Sequence, residues 1–495
     1  MAFLCMVLTI SALGAQDKLK DPKKLDGAQR LAPRREAPAG KEQNPAVEAV
    51  IEPLEAGLHV YDQQKSFQGY TLYPGKHYGL TVLMDNEGRL VNKWMSDYEP
   101  GQSAYLLENG NMLRAALVKG KYNIGGGEGG RFEEFSWDGE MVWSMNYASQ
   151  TYMSHHDFAP MANGHFLALC VEIKSKSEAI EAGFNPQLLR DDTVNPEFII
   201  EVEKIGVNDY RIVWEWHVWD HLVQDFDSTK DNYGNPKEHP ELLDVNAGNR
   251  RSPAFWNHAN SIDYNEALDQ IILSIRGSSE FWIIDHSTTT AEAKTGNGGG
   301  SGKGGDILYR WGNPETYGRG TRDDRRLFQQ HDAHWIPEGV PGAGNILIFN
   351  NGIDRPGTKY SSIEEVEIPV NADGSYPVLG PEEAFSPREA VWTYKAPNPQ
   401  DFYSPEISGV QRLPNGNTLI CEGIPGHFFE ITPDLEIVWS FVNPLVVNSI
   451  LKSGEKAEID PRGHPNNAVF KIHRYAPDYP GFEGKDLTPG DSLFQ

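Results

Sequence analysis

A chain of 495 residues can hold several average domains or one large all-β domain, so length does not choose between them. The formal net charge of -26 repels polyanions and argues against a nucleic-acid surface; an anionic ligand would have to meet a local cationic pocket. With 49 glycines, 33 prolines and 11% aromatic residues, the composition suits short strands joined by tight turns rather than long helices.

The first residues, MAFLCMVLTISALGA, form an apolar run ending in small residues, and the polar QDKLKDPKK follows at once. Residues 1–15 therefore read as a secretory signal peptide cut near Gly14 or Ala15, and the mature protein is expected to be periplasmic or secreted. No later stretch is long and apolar enough to span a bilayer. Residues 16–57, rich in Lys, Pro, Ala, Glu and Arg, cannot bury enough apolar surface to offset ordering and read as a disordered charged tether. Residues 58–495 are then one folded unit. Cys5 falls in the signal, so the mature chain keeps Cys170 and Cys421, expected as two free buried thiols on separate parts of the fold.

Two signatures repeat from Gly79 onward. The first is a strand closing on tryptophan: DNEGRLVNKW at Trp94, WDGEMVW at Trp143, DYRIVW at Trp214, GDILYRW at Trp311, REAVW at Trp392 and DLEIVW at Trp439. The second is a hairpin, LLENGNML, PMANGHFL and RLPNGNTL, whose Asn-Gly pairs predict type I′ turns. Two degenerate copies, IDYNEALDQIIL and WIPEGVPGAGNILIF, fill the remaining intervals. One hairpin followed by one Trp-ended strand pair makes a four-stranded blade, and six copies predict an all-β, six-bladed β-propeller. Trp94 has no hairpin before it, and NNAVFKIHRYAPDY near the C-terminus has no Trp-ended pair after it, so the two ends are expected to share one blade and close the ring. The insertion HVWDHLVQDFDSTKDNYGNPKEHPELLDVN predicts a partly helical cap. The run TGNGGGSGKGGD reads as a flexible loop; it fails the phosphate-cradling pattern because Gly304 follows Lys303 and position 297 is Asn.

Counting back seven residues from the first residue of each hairpin turn gives equivalent positions on the innermost strands: Gln102, His156, His258, His331 and Ser408. Innermost strands run along the propeller axis, so histidines at one register in three neighbouring blades meet around one channel. Arg276 lies opposite His258 across the hairpin centred near position 267, and a guanidinium ending the apolar run DQIILSIR needs a purpose. By strand alternation, His155 and His334 should point elsewhere. His165, His217, His221, His239, His286 and His473 read as structural or solvent-exposed. Trp256, Trp335 and Tyr152 flank the motifs and are candidates to sandwich an aromatic ring, with ordinary blade packing as the alternative. Three imidazoles are also a recognised zinc set. Arg276 argues against a metal there and for an oxyanion.

The motifs HHDFAPMANGHFL, NHANSIDY followed by SIRGSSEFWIID, QHDAHWIP leading to GNILIFNNG, and VWEWHVWDHLVQDFD resemble the bacterial arylsulfate sulfotransferase family, from about Leu58 to Asp478. The resemblance implies a periplasmic six-bladed propeller that moves a sulfuryl group from a phenolic ester to another phenol, without a nucleotide sulfate donor. It implies small aromatic sulfate esters and phenols as ligands, no cofactor, no metal, no nucleic acid and no membrane span. Carried across by motif, His331 matches the nucleophile that becomes sulfated, while His156, His258 and Arg276 match the residues binding the sulfuryl oxygens. His334 and Asn351 join Trp256, Trp335 and Tyr152 as substrate-binding candidates. Well-studied members dimerise partly through an N-terminal β-domain, where this chain has the short tether, so a homo-oligomer stays open. They also carry a disulfide near the active site that these cysteines do not obviously supply. The competing readings are a propeller that binds ligands or proteins through its insertions without catalysis, and a metal-dependent lyase or hydrolase using the channel histidines.

Overall fold

Five four-stranded antiparallel sheets and one of five strands make the six blades of a β-propeller, and each of the five intervals between successive tryptophans supplies four strands of one blade. The computed structural model describes residues 51–76, 78–119, 126, 127, 129–247 and 256–493. The expected signal peptide and the tether up to residue 50 lie outside the described residues. Blade one combines His473–Tyr475 with Tyr70–Pro74, Leu80–Met84 and Leu90–Met95, so the two ends of the propeller do share one sheet. The innermost strands of blades two to six are Pro100–Leu106, Tyr152–Pro160, Ala259–Asn265, His331–Trp335 and Ser408–Arg412. Second strands such as Gln270–Ile275, Ile346–Asn350 and Thr418–Glu422 are buried along their whole length, which is why their apolar runs barely alternate.

One hydrophobic cluster fills each blade-to-blade seam; at the closing seam, Leu419, Phe428 and Trp439 of blade six pack on Tyr73, Leu80 and Val82 of blade one. The repeating tryptophan has a specific task there. From the outermost strand, its indole N–H donates to the next blade: Trp94 to the Ser136 carbonyl (2.8 Å), Trp143 to that of Asp209 (3.0 Å), and Trp214 to Thr288 Oγ1 (3.1 Å). Trp311 donates to the Pro387 carbonyl (2.6 Å), and Trp439 closes the circle onto Asn86 of blade one (2.7 Å). Trp392 instead lies under the Arg412 guanidinium of blade six, 5.1 Å from its ring centroid. A buried indole N–H needs an acceptor, and using the neighbouring blade's turn ties the seam together.

Four expectations change in detail. The tether ends before residue 57: Gly57–Tyr61 pairs with Ile437–Val442 as a fifth strand of blade six, Ala56 is buried, and the Ile51 N–H donates to the Gly463 carbonyl. The Asn-Gly hairpins are not type I′. Only the glycines, Gly110, Gly164 and Gly416, take positive φ. The asparagine carbonyl oxygens accept the N–H two residues on (Asn109 from Asn111, 2.9 Å), which holds each asparagine right-handed and yields a type I turn with a glycine bulge. The glycine-rich run at 295–306 is mostly exposed but pinned at its end, because Gly305 fits where a Cβ would meet the Ala293 carbonyl at 2.1 Å, and its own carbonyl accepts the Trp216 indole. The 217–246 insertion holds single 3-10 turns and a short parallel strand pair rather than a helical cap. Cys170 and Cys421 are free and buried, as expected.

Candidate active site

The innermost strands do not run as regular ladders where the histidines sit. In blade three, His155, His156 and Asp157 bulge out opposite the single residue between Ala168 and Cys170. Blade two bulges at 101–103, blade four at Asn260, and blade five at Asp332–Ala333. Gln102, His156, His258, Asp332 and Ile407, one on each of five inner-strand entries, take left-handed φ. Bulges re-aim side chains, and strained non-glycine residues persist where the surroundings hold them. The consequence is that His155 and His156 both serve the channel end, and alternation fails as a guide to His155.

The imidazoles of His156 and His258 meet edge to face with centroids 4.9 Å apart, and His155 and His156 at 5.0 Å. Phe470 bridges the channel, 5.9 Å from His156 and 6.1 Å from His331. His331 is buried, with Nδ1 2.8 Å from Asn351 Oδ1. The Asn351 amide N–H groups donate to the Ser404 carbonyl (2.8 Å) and to Ser408 Oγ (3.0 Å), so its carbonyl oxygen faces His331. Ser408, the register equivalent of the histidines, thus supports one of them. Burial, then the Arg276 guanidinium, push His331 down to about 3, and Lys76 adds to this. Burial and Arg276 likewise lower His258, while burial, His258 and His155 lower His156. These imidazoles are therefore neutral near pH 7, with cationic charge supplied by Arg276. The backbone puts Arg276 there, its N–H donating to the His258 carbonyl (3.2 Å), the pairing read from the hairpin.

Behind His155, Nε2 lies 2.7 Å from Glu197 Oε2, and its Nδ1 lies 2.7 Å from Nδ1 of His156. Glu197 Oε1 also accepts the Ala259 N–H (2.9 Å), next to His258. Gly127 seats the backbone on the other side of His156: its carbonyl accepts the His156 N–H, and a Cβ there would lie 2.0–2.2 Å from three ring atoms. One layer along the axis, buried Lys471 donates to Asp157 (2.7 Å) and Asp332 (3.2 Å), the residues following His156 and His331.

The other candidates lie elsewhere. Trp256 packs against Phe184 in the seam between blades three and four, and Trp335 packs in the seam between blades four and five. Tyr152 packs against Tyr147, the two rings tilted by 39°. His334 turns toward Asp332, whose carbonyl its Nδ1 meets at 2.9 Å. The aromatic ring among the histidines is Phe470, which the sequence reading missed, along with Glu197, Lys76 and Lys471. A lysine inside the apolar run AVFKIHRY was a readable signal of the same kind that singled out Arg276. Among the described residues, no group of three or more His, Cys, Asp or Glu is arranged to hold a metal ion, and no helix is long and apolar enough to cross a membrane. A cavity of about 460 Å³ lined by Arg325, Arg326, Arg355, Phe328 and Trp311 contains none of the four histidines.

No curated protein matches the chain. Among solved structures, a protein of unknown function from Bacteroides caccae is 10% identical (TM-score 0.43), covering 83% of this chain and 99% of its own. A functionally unknown protein from Desulfotomaculum acetoxidans is 7% identical (TM-score 0.38, 83% and 100%), and apo AztD from Citrobacter koseri 6% identical (TM-score 0.35, 83% and 99%). Nothing about activity follows from these. The family comparison is of another kind: residues 54–460 match the model of the arylsulfotransferases. With that match running from the fifth strand of blade six through all the histidine-bearing blades, the chain belongs to the Arylsulfotransferase (ASST) family.

Proposed function

We propose that this arylsulfotransferase moves a sulfuryl group from a phenolic sulfate ester to an acceptor phenol through a sulfated His331, without a nucleotide donor. The observation that carries the reading is the hydrogen bond between His331 and an asparagine whose amide N–H groups are already committed to Ser404 and Ser408. The asparagine oxygen can only accept, so the His331 proton sits on Nδ1 and the lone pair is left on Nε2. A buried, neutral imidazole with its lone pair free is a nucleophile for sulfur. Asn351 is uncharged, so the N-sulfo-imidazolium is oriented without being neutralised and stays reactive.

In the first half-reaction Nε2 forms the N–S bond as the aryl S–O bond breaks, and the aryl oxygen leaves with the electron pair. In the second, the acceptor oxygen forms a new S–O bond and the N–S pair returns to His331. Sulfuryl transfer, like phosphoryl transfer, depends mainly on positioning and charge stabilisation. Arg276 and His258 are assigned to the sulfuryl oxygens, His156 to acid–base work, and Phe470 to contact with the aromatic ring. The apolar run ending at Gly14–Ala15 supports export to the periplasm or medium as part of the same reading. The test is to mix the protein with 4-nitrophenyl sulfate and no acceptor, and to look for a mass gain of one sulfuryl group on the peptide carrying QQHDAHW. Label on His334, or near-normal turnover by His331→Ala, would overturn the assignment.

A further inference from the structure

The sulfuryl-transfer reading needs a group that gives a proton to the departing phenolate and takes one from the acceptor, and three histidines are close enough to compete for that task. The geometry behind His156 distinguishes it. Glu197, at the start of the third strand of blade three, is buried at 2% exposure, and its carboxylate divides between two partners. Oε1 accepts the Ala259 N–H and Oε2 faces Nε2 of His155 at 2.7 Å. A carboxylate only accepts, so His155 carries a proton on Nε2. In its neutral form, with that proton on Nε2, His155 presents a lone pair at Nδ1, 2.7 Å from Nδ1 of His156. One of two nitrogens at that distance must donate, and it is then His156. The proton of His156 sits on Nδ1, and its Nε2 is left with a lone pair. Gly127 against the ring and His258 at its edge hold the imidazole in this orientation.

We propose that Glu197 and His155 form a proton relay with His156, fixing its tautomer so that Nε2 of His156 is the acid–base group of sulfuryl transfer. Glu197 and His155 touch no reacting atom and are positioning residues. The arrangement extends by one imidazole the logic of a carboxylate that orients a catalytic histidine and stabilises its charged form. The proposal rests on the sulfuryl-transfer reading for its chemistry but not for its tautomers. Neutral His156 takes the acceptor phenol's proton on Nε2 as the acceptor oxygen bonds to sulfur. In the next turnover the imidazolium so formed gives that proton to the aryl oxygen that leaves sulfur with the S–O electron pair. Over the cycle the relay neither gains nor loses a proton. While His156 is charged, its Nδ1–H faces the His155 lone pair, with the carboxylate behind it.

Glu197→Gln separates the outcomes. An amide that accepts the Ala259 N–H through its oxygen must donate through its nitrogen to Nε2 of His155. That moves the His155 proton to Nδ1 and forces His156 into the opposite tautomer. Long-range ¹H–¹⁵N NMR of histidine-labelled full-length protein, with His156 assigned by His156→Asn, is expected to show the proton on Nδ1 in the parent and on Nε2 in Glu197→Gln. In turnover, Glu197→Gln should slow phenyl sulfate, a poor leaving group, at least ~10-fold more than 4-nitrophenyl sulfate, whose phenolate needs no proton. Should Glu197→Gln fail to fold, a second pair serves. His155→Gln can donate to Glu197 and still accept from His156, keeping the parent's preference between the two esters, whereas His155→Leu should lose it. A His156 proton on Nε2 in the parent, or equal slowing of both esters in Glu197→Gln or in His155→Leu, overturns the relay. If neither ester turns over in the parent while the tautomers behave as stated, the sulfuryl reading falls and the relay stands.

Discussion

Replacing Lys471 by methionine removes the cation that joins two of the histidine-bearing blades while keeping most of the side-chain volume. Its Nζ donates to Asp157 and Asp332, and the side chains of the three residues are at most 8% exposed. Asp157 keeps the Tyr105 hydroxyl and Asp332 the Val410 N–H, so each carboxylate loses its counter-charge but not all its hydrogen bonds. Breaking a buried pair by removing one partner costs ~3–5 kcal/mol. With about 2.1 cal/mol/K of unfolding entropy per residue over Ala49–Gln495, the melting temperature should fall by ~3–5 °C. The pH dependence carries a sign. Burial raises Asp332, but Lys471 and His334 outweigh it, so its folded value is depressed. In the parent that stabilisation is present above the ordinary carboxylate value and is lost as pH falls through the depressed one. Without Lys471, burial dominates and the sign reverses, so the gap between parent and variant should narrow as pH drops from 7 toward 4. Differential scanning calorimetry at several pH values measures both. Substituting the whole triad, Lys471→Met with Asp157→Asn and Asp332→Asn, should recover most of the loss, because no uncompensated charge remains. A Lys471→Met variant melting within a degree of the parent at pH 7, or a gap that widens in acid, would refute this account.

Other outcomes follow from the same geometry. His331→Ala should abolish both the sulfuryl label and phenol release, and Arg276→Ala should slow transfer by ~10²–10³, the loss on removing one transition-state donor; stopped-flow release of 4-nitrophenol measures each. With His331 held down to about 3, label formation from 4-nitrophenyl sulfate should stay flat from pH 8 to 5, and an inflection near the ordinary histidine value would show that the nucleophile is not protected from protonation. Asn351→Asp places a carboxylate on His331 and should bring such an inflection into that range by favouring the imidazolium. Gly127→Ala must displace either its own backbone or the His156 ring, at ~1–3 kcal/mol for overpacking, so phenyl sulfate turnover should slow by ~5–150-fold; unaltered kinetics would mean that the glycine does not seat His156.

The number of blades, their closure through the two chain ends, and the common level of His156, His258, His331 and Arg276 were legible in the sequence. Each rests on local repetition: Trp-ended strands and Asn-Gly hairpins recur at intervals that set strand count and register within one blade, and cross-strand pairing needs only the hairpin centre. What the side chains at that level do is decided elsewhere. The bulge at 155–157 breaks the alternation from which His155 was read as pointing away, and nothing in a single strand announces it. Glu197 stands 42 residues from His155, and Lys471 stands 314 and 139 residues from Asp157 and Asp332. Such partners meet only when the ring closes. Trp256 and Trp335, near the motifs in sequence, turn into the seams because an indole ring is best buried between blades, whereas Phe470, distant in sequence, is carried into the channel by the strand that completes blade one. Sequence determined which elements surround the axis; the tertiary structure decided which buried acceptor each histidine faces, and thereby which nitrogen keeps its lone pair.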